Sequence, residues 1–323
     1  MALTRRYRDG KIEAENFPVT EISDFRDQPD VAIWVDLCGP TQDELTALGS
    51  ELDLHELAIE DAVSEHQRPK LDRYDSHLFV NVYAVRLDTG SGQLEKTEIS
   101  AFVTEQVLVT VRKNERFDID AVVQRWDGAP NLARYGVGFL LHGLLDYVVD
   151  GHFDAVQTLD DEISGLEDDL FADRPAPAAT QRRTFALHKS LVLLRRAVGP
   201  MSEVVNGLLR GELKVVPPPM VAYYQDVYDH TLRAAEWSES LRELIGTVLD
   251  TRLTLQNNRM NGIMKKVTSW AAIIAVPTAI TGFYGQNVPF PGSEQPTGFY
   301  TSTVLIAVLS VSLYALFRRL DWL

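Results

Sequence analysis

The sequence predicts an α/β N-terminal domain, then long α-helices, then a C-terminal hairpin of two transmembrane helices. Three observations predict it. Short runs of β-branched and aromatic residues between turn formers fill the N-terminal part, and apolar residues at helical spacing fill the middle. Near the C-terminus, residues 267–283 and 301–317 carry no charge and are predominantly apolar. Each run is close to the lower length limit for a membrane span, roughly 17 to 25 residues. Flanking aromatic and basic side chains that reach the headgroups lengthen both.

Residues 1–130 read as a small cytoplasmic α/β domain. Strands are expected at residues 31–37, 77–85, 100–104 and 107–111, bounded by turn formers such as Gly39-Pro40 and Thr89-Gly90-Ser91-Gly92, in a strand meander. Thr41-Gln-Asp-Glu44 has the capping-box pattern and opens a helix. Cys38 is the single cysteine, so neither an intramolecular disulfide nor a multi-cysteine metal site can form. Its apolar run makes it a buried strand residue. Residues 1–10 are polar and basic, without the apolar core of a secretory signal.

Residues 131–220 read as an antiparallel pair of long helices. In 137–173 the positions Leu140, Leu144, Val148, Phe153, Val156, Leu159, Ile163, Leu166 and Leu170 recur at helical spacing. Arg174-Pro175-Ala-Pro177 interrupts, a second helix covers about 180–213 with Arg195-Arg196, and Pro217-Pro218-Pro219 ends the pair. The acidic run Asp160-Asp161-Glu162 with Glu167-Asp168-Asp169 lies on the first of these helices. Such runs are usually solvated faces, and the alternative is added negative potential or a secondary cation site.

From residue 221 to residue 283 no breaker intervenes before the membrane. Gly246 and Gly262 cost about 1 kcal/mol each, and Pro277 lies within the span, where proline is accommodated. The predicted helix is about 95 Å long at 1.5 Å per residue, so it needs neighbours along its length. A connecting segment, 284–300, a second span, 301–317, and a basic tail, 318–323, complete the chain. Lys265, Lys266, Arg318 and Arg319 sit at the outer ends of the hairpin, while the connection has neither Lys nor Arg. The basic bias predicts a multi-pass protein of the cell membrane with both termini cytoplasmic.

Heptad steps along the first span select one face. From Asp250 they reach Thr254, Asn257, Asn261, Met264, Thr268, Ala271, Ala275, Thr278 and Gly282, small and polar side chains where a coiled-coil seam would place Leu or Ile. Close helix packing through small residues is one reading. The other is a water-containing path at the axis of a symmetric assembly. The oxygen-bearing Asp250, Asn257 and Asn261 favour the path.

The formal charge of −15 suits cation attraction and is a poor match for nucleic acid, which demands basic patches. Enzyme chemistry has little support. His55-Glu56 opens like the zinc-protease helix motif but Ile59 stands where its second His belongs, and no phosphate-binding loop or nucleophile elbow is present.

Four segments together resemble the CorA magnesium channels and transporters. They are Tyr284-Gly285-x-Asn287 at the end of the first span, Asp226-Val-Tyr-Asp-His230 on the long helix, His66-Gln-Arg-Pro-Lys70, and the basic end Arg318-Arg319-Leu-Asp-Trp-Leu323. Their order and spacing fit across nearly the whole chain. The family turn reads Gly-Met-Asn, and Gln286 replaces its Met; relatives with a changed middle residue carry other divalent metals, including zinc.

The resemblance implies a homopentameric funnel in the lipid bilayer, with a central pore lined by the first span and divalent cations as cargo. Mg²⁺ is the expected ion, both transported and regulatory, with Co²⁺, Ni²⁺ or Zn²⁺ as further cargoes. Gly285, Gln286 and Asn287 are implied as the selectivity filter. Gly282, Thr278, Asn261 and Asp250 fall on the ion path, Met264 with Val267 or Thr268 near the constriction, and Ala275 where the family is bulkier. Asp88 and Asp226 occupy positions that pair across a subunit boundary and bind regulatory Mg²⁺. Physically, a ring of Asn amides offers oxygens to a hydrated ion at low charge and lets it leave. The competing reading of Gly285 and Asn287 is a left-handed helix C-cap. Two other functions stay open: a zinc or transition-metal transporter driven by protons, and a membrane-anchored sensor or scaffold without flux.

Overall fold

The computed structural model describes residues 2–323 apart from 26, 27, 29, 65, 66, 171–177, 212–214, 287, 288, 290, 291, 293 and 294, and for 168–170, 178 and 179 it describes the backbone alone. His66, Asn287 and the segment Arg174-Pro175-Ala-Pro177 therefore lie outside the described residues, as do the side chains of Asp168 and Asp169. The chain divides into two compact units, Met1–Gly246 and Thr247–Leu323.

The first unit is built on one seven-stranded sheet of order β2-β1-β3-β7-β6-β5-β4. Its strands are β1 (Ala2–Arg8), β2 (Lys11–Glu15), β3 (Val31–Cys38), β4 (Lys70–Arg73), β5 (Leu78–Asp88), β6 (Gln93–Val103) and β7 (Val107–Arg112). Three of the four expected strands fall in β5, β6 and β7, which with the unexpected β4 form an antiparallel meander, while the fourth falls in β3 and pairs parallel with β7. The β1–β2 hairpin was not anticipated, because Arg5, Arg6 and Arg8 disguise β1. Their charges are matched by Glu15, Asp127 and Glu13 in ion pairs of 2.7 to 3.0 Å.

Alternating side chains serve the two faces of the sheet. Val31, Ile33, Val35, Phe79, Phe102 and Val109 pack under α1 (Gln42–Leu52) and α2 (Glu56–Val63). Thr41 caps α1 as expected, accepting from the Glu44 N–H while the Glu44 carboxylate accepts from the Thr41 N–H. His55 caps α2, its Nδ1 accepting from the Leu57 N–H at 3.2 Å, which accounts for the His-Glu pair without a metal. Ala32, Trp34, Val80, Val82, Ile99 and Leu108 face α3 (Ile119–Gly128), α4 (Pro130–Ala133) and α5 (Val137–Leu170). Cys38 is half-buried at the end of its strand.

At the centre of the sheet a buried Asp36 receives both Arg112 Nη2, at 2.6 Å, and the Thr110 hydroxyl, at 2.7 Å. The Trp34 indole donates to that hydroxyl at 3.1 Å, so a polar network ties the parallel pair β3–β7 together.

Beyond α5 the expected second long helix is two helices, α6 (Ala178–Val198) and α7 (Met201–Leu209). Gly199-Pro200 breaks it; Pro200 has no N–H for the ladder, and the Gly199 N–H closes α6 on the Arg195 carbonyl at 2.9 Å. Helix α8 (Val221–Tyr284) is then continuous for 64 residues through Gly246, Gly262 and Pro277. Within the first unit it docks on α5 and α6 along Tyr224, Val227, Thr231, Ala234, Ser238, Leu241 and Ile245, all buried at three- and four-residue steps. The second unit holds the rest of α8 and α9 (Pro296–Arg319), and the two contain runs long and apolar enough to cross a membrane.

Candidate functional site

The turn after α8 begins with an α-type hydrogen bond from the Gly285 N–H to the Thr281 carbonyl at 2.9 Å, followed by Gln286 N–H to Phe283 carbonyl at 3.3 Å. Gly285 is not among the residues of positive φ, so it does not form the left-handed cap. A Cβ there would lie 3.0 Å from the Thr281 oxygen, and the missing side chain lets the backbone pass close to the helix end. Gln286 is exposed.

Below the turn, Asp250, Thr254, Asn257, Asn261, Met264, Thr268, Ala275, Thr278 and Gly282 are all exposed, as is Ala271. The shielded side of the same helix carries the buried Ser269 and the half-buried Ile273, Val276, Pro277 and Ile280. On α9 the half-buried row is Ser302, Ile306, Ser310, Leu313 and Phe317. The polar stripe therefore has no cover within its own unit. Nothing lies within 4 Å of a Cβ built on Gly282, so no neighbour within the chain demands its smallness. The hydroxyls of Thr254 and Thr278 donate to the carbonyls of Asp250 and Ile274, each at 3.0 Å, which commits their hydrogens to the helix and leaves oxygen lone pairs outward.

The remaining faces carry large exposed apolar side chains, among them Trp270, Ile274, Phe283, Tyr300, Val308 and Leu316. Such a surface requires lipid or other chains. Lys265 approaches the Trp322 ring at 6.0 Å, and Trp322 stacks on Phe317 at 5.6 Å, fixing a basic and aromatic collar where the apolar run begins.

In the first unit, Asp88 ends β5 and organises the hairpin to β6. Its carboxylate accepts from the Ser91 hydroxyl at 2.6 Å and the Gly90 N–H at 3.0 Å, bonds that hold it below the usual carboxylate range. Arg183 pins the same hairpin by donating to the carbonyls of Thr89 and Gly90 at 2.6 and 2.8 Å while pairing with Glu162. One carboxylate of the acidic run thus has a structural partner. Asp226 stands exposed on α8, with no hydrogen bond or ion pair among the described residues. No three His, Cys, Asp or Glu side chains among the described residues form a metal site.

Sequence reasoning stopped the stripe at Asp250. Stepping back by sevens gives Glu243, Glu236 and Asp229, all exposed. The signal was the same heptad count run toward the N-terminus.

A long helix with an uncovered polar stripe, a glycine turn at its end and a second apolar helix define a two-span membrane protein of the transport class. The sequence matches the family described as CorA-like Mg²⁺ transporter protein over residues 29–319, and the chain belongs to that family. It is 29% identical over 344 residues to the cobalt/magnesium transport protein CorA of Thermotoga maritima, covering 100% of this chain and 95% of that one. It is 23% identical over 271 residues to the zinc transport protein ZntB of Yersinia pseudotuberculosis, covering 84% and 81%. Among solved structures, the CorA magnesium transporter of Methanocaldococcus jannaschii shares the fold with a TM-score of 0.80 at 23% identity, covering 100% and 99%.

Proposed function

We propose that this chain assembles as a homopentamer and conducts divalent cations through a central pore lined by α8, with Mg²⁺ uptake down the membrane potential as its principal activity and Co²⁺ and Ni²⁺ as further cargoes. The observation that carries the reading is the stripe on α8, exposed at each of its ten positions and leading to Gly285. In lipid such a row needs water or a neighbouring copy. A symmetric ring of copies supplies both. Gly285, Gln286 and Asn287 form the filter in this reading. Asn amides would hold an ion that keeps its water, because Mg²⁺ dehydrates reluctantly. The basic collar and the connection without Lys or Arg support cytoplasmic termini.

Regulation in this reading follows from Asp88 and Asp226. Two carboxylates from adjoining copies repel, and a divalent ion between them turns the repulsion into a clamp that holds the pore closed. When cytosolic Mg²⁺ falls, the clamp is lost and the pore opens.

Gln286 favours a second reading, a zinc or other transition-metal transporter driven by protons, which the likeness to a zinc transport protein also supports. Flux into liposomes with Mg²⁺, Co²⁺, Ni²⁺ and Zn²⁺, with and without a pH gradient, separates the readings. Mg²⁺ entry that follows membrane potential and ignores the pH gradient supports the first. Zn²⁺ entry that requires the gradient, without Mg²⁺ entry, replaces it with the second. Absence of flux for every ion leaves the sensor or scaffold.

A further inference from the structure

Helices α5 and α6 carry opposite charges. No Lys or Arg occurs in α5, and no Asp or Glu occurs in α6, whose basic residues are Arg182, Arg183, Lys189, Arg195 and Arg196. Part of this opposition is settled within the chain, where Arg183 pairs with Glu162 and Arg195 with Glu239 of α8. The apolar sides of the two helices, Leu159, Ile163 and Leu166 with Leu187, Leu191 and Leu194, share one buried core. The rest of the charge lies on exposed faces. On α6, Arg182, Lys189 and Arg196 are exposed one heptad apart, with no hydrogen bond or ion pair among the described residues. Phe185 stands between the first two and is 71% exposed, the largest exposure of any large apolar side chain described in the first unit.

The exposed face of α5 is its counterpart. Asp154 and Asp161 are exposed one heptad apart, and neither carboxylate has a partner among the described residues. Gly165 follows one turn on, exposed, with nothing within 4 Å of a Cβ built there. When two such helices lie antiparallel, with Lys189 of one at the level of Asp161 of the other, Arg196 reaches the level of Asp154. In the same register Phe185 falls opposite Gly165, and the half-buried Val192 falls opposite the half-buried Thr158. These positions recur at alternating steps of three and four on both helices, the spacing of a two-helix seam. The charges repeat every heptad, about 10.5 Å, on each side. Within one chain the shared core holds the two faces apart, so the match needs a second copy.

We propose that the basic face of α6 docks on the acidic face of α5 of an adjoining copy, with Phe185 seated at Gly165 and with Lys189 and Arg196 paired to Asp161 and Asp154. Two different faces of one chain joined head to tail make the heterologous contact from which a closed ring is built. The proposal rests on the reading of the chain as a ring of copies, and it adds which surfaces join neighbours in the first unit. Exposed ion pairs are individually weak. Charge therefore selects the partner and the register, while burial of the phenyl ring supplies the attraction. An anionic lipid surface would also meet the cations of α6, but the acidic row of equal pitch on α5 favours the chain itself.

The test is disulfide trapping between two singly substituted full-length chains, Phe185→Cys and Gly165→Cys, each also carrying Cys38→Ser and each with a tag of different length. They are co-expressed, purified in detergent and oxidised. A disulfide needs Cα atoms within about 7 Å, a distance that a side chain seated on a glycine provides. The expected product is a covalent dimer of mixed size. Lys189→Glu in the first chain should slow its formation severalfold, and Asp161→Lys in the second should restore the rate, because like charges repel and the swapped pair attracts. Dimers of equal-sized chains only, or none, from a preparation whose mass is that of a pentamer overturn the docking and leave the ring standing. A preparation that is monomeric by mass refutes both. If no mixed dimer forms and a polarity-sensitive dye on Phe185→Cys responds to vesicles of anionic phospholipid, the face belongs to the lipid surface and the docking is overturned.

Discussion

His152 gives the first unit a dependence on acid that can be worked out in advance. The side chain is fully buried on α5, and its Nε2–H donates to the Tyr83 carbonyl at 2.6 Å. Its Nδ1 is buried without a hydrogen-bond partner among the described residues, so the folded chain has no acceptor for a second ring hydrogen. Burial pushes its pKa down to about 4 from 6.5. Above pH 6.5 both folded and unfolded chains hold it neutral. Between pH 6.5 and about 4 the unfolded chain binds a proton that the folded chain does not, so stability falls as pH falls; below about 4 the loss is complete. At 1.36 kcal/mol per pH unit the interval amounts to about 3 kcal/mol. Urea unfolding of the full chain in detergent, followed by tryptophan fluorescence, reads this directly, because the buried Trp34 and Trp126 lie 4.9 Å apart in the same core. His77, also pushed down to about 4 by burial, and the carboxylates contribute their own slopes, so the comparison is with His152→Gln, which keeps a donor for Tyr83. The variant should lose about 3 kcal/mol less than the parent between pH 7.5 and 4. Equal losses in the two proteins would refute the reasoning.

Four further outcomes are expected. Asp36→Ala leaves Arg112 buried without its carboxylate and should cost about 3 to 5 kcal/mol in urea unfolding, as broken buried ion pairs do. Asn287→Ala should abolish selective Mg²⁺ uptake in liposomes, and uptake retained by that variant removes the filter assignment. Thr278→Leu or Asn261→Leu should abolish ion flux while the pentamer still forms by size and mass; unchanged flux would return the stripe to helix packing. Asp226→Ala should relieve inhibition of flux by Mg²⁺ on the cytoplasmic side, and unchanged inhibition would remove Asp226 from regulation.

Periodicity made most of this fold legible. Strands β3, β5, β6 and β7 are dense in β-branched and aromatic residues, and the Thr41–Glu44 box states its own cap. The β1–β2 hairpin was equally written, in Asp9-Gly10, whose φ values of 50° and 76° close a two-residue turn. Three arginines in β1 obscured it, since their pairing with Glu15, Asp127 and Glu13 exists only once the strands are folded. Helix α6 ended earlier than expected because Gly199-Pro200 was passed over as an interruption. At the site, the stripe could be counted from spacing alone. The Asp88 turn could not, since it depends on which loops and helices meet.

Helix α8 shows why two rows of small residues on one helix need different explanations. In the first unit Thr231, Ala234 and Ser238 are small where the helix is buried, and the two hydroxyls satisfy themselves on the Tyr228 and Ala235 carbonyls at 2.7 and 2.8 Å. Along the span, Ala271, Ala275 and Gly282 are small and exposed, and nothing lies within 4 Å of a Cβ built on Gly282. Thr278 alone would not decide the matter, because a hydroxyl bonded to its own helix is tolerated in lipid as well as in a pore. Lipid sets no demand for small side chains, however, and Trp270, Ile274 and Phe283 on the flanking faces show what the chain places where space is free. A row of Ala, Thr and Gly bordered by such residues is therefore shaped by something narrow, either a neighbouring helix or a lumen. Asp250, Asn257 and Asn261 continue the row toward the N-terminal end of the helix, and three exposed carboxyl and amide groups have no use in a dry helix contact. In the proposed pore, a water-filled axis shared by copies of the chain would meet both demands with the same face of one helix.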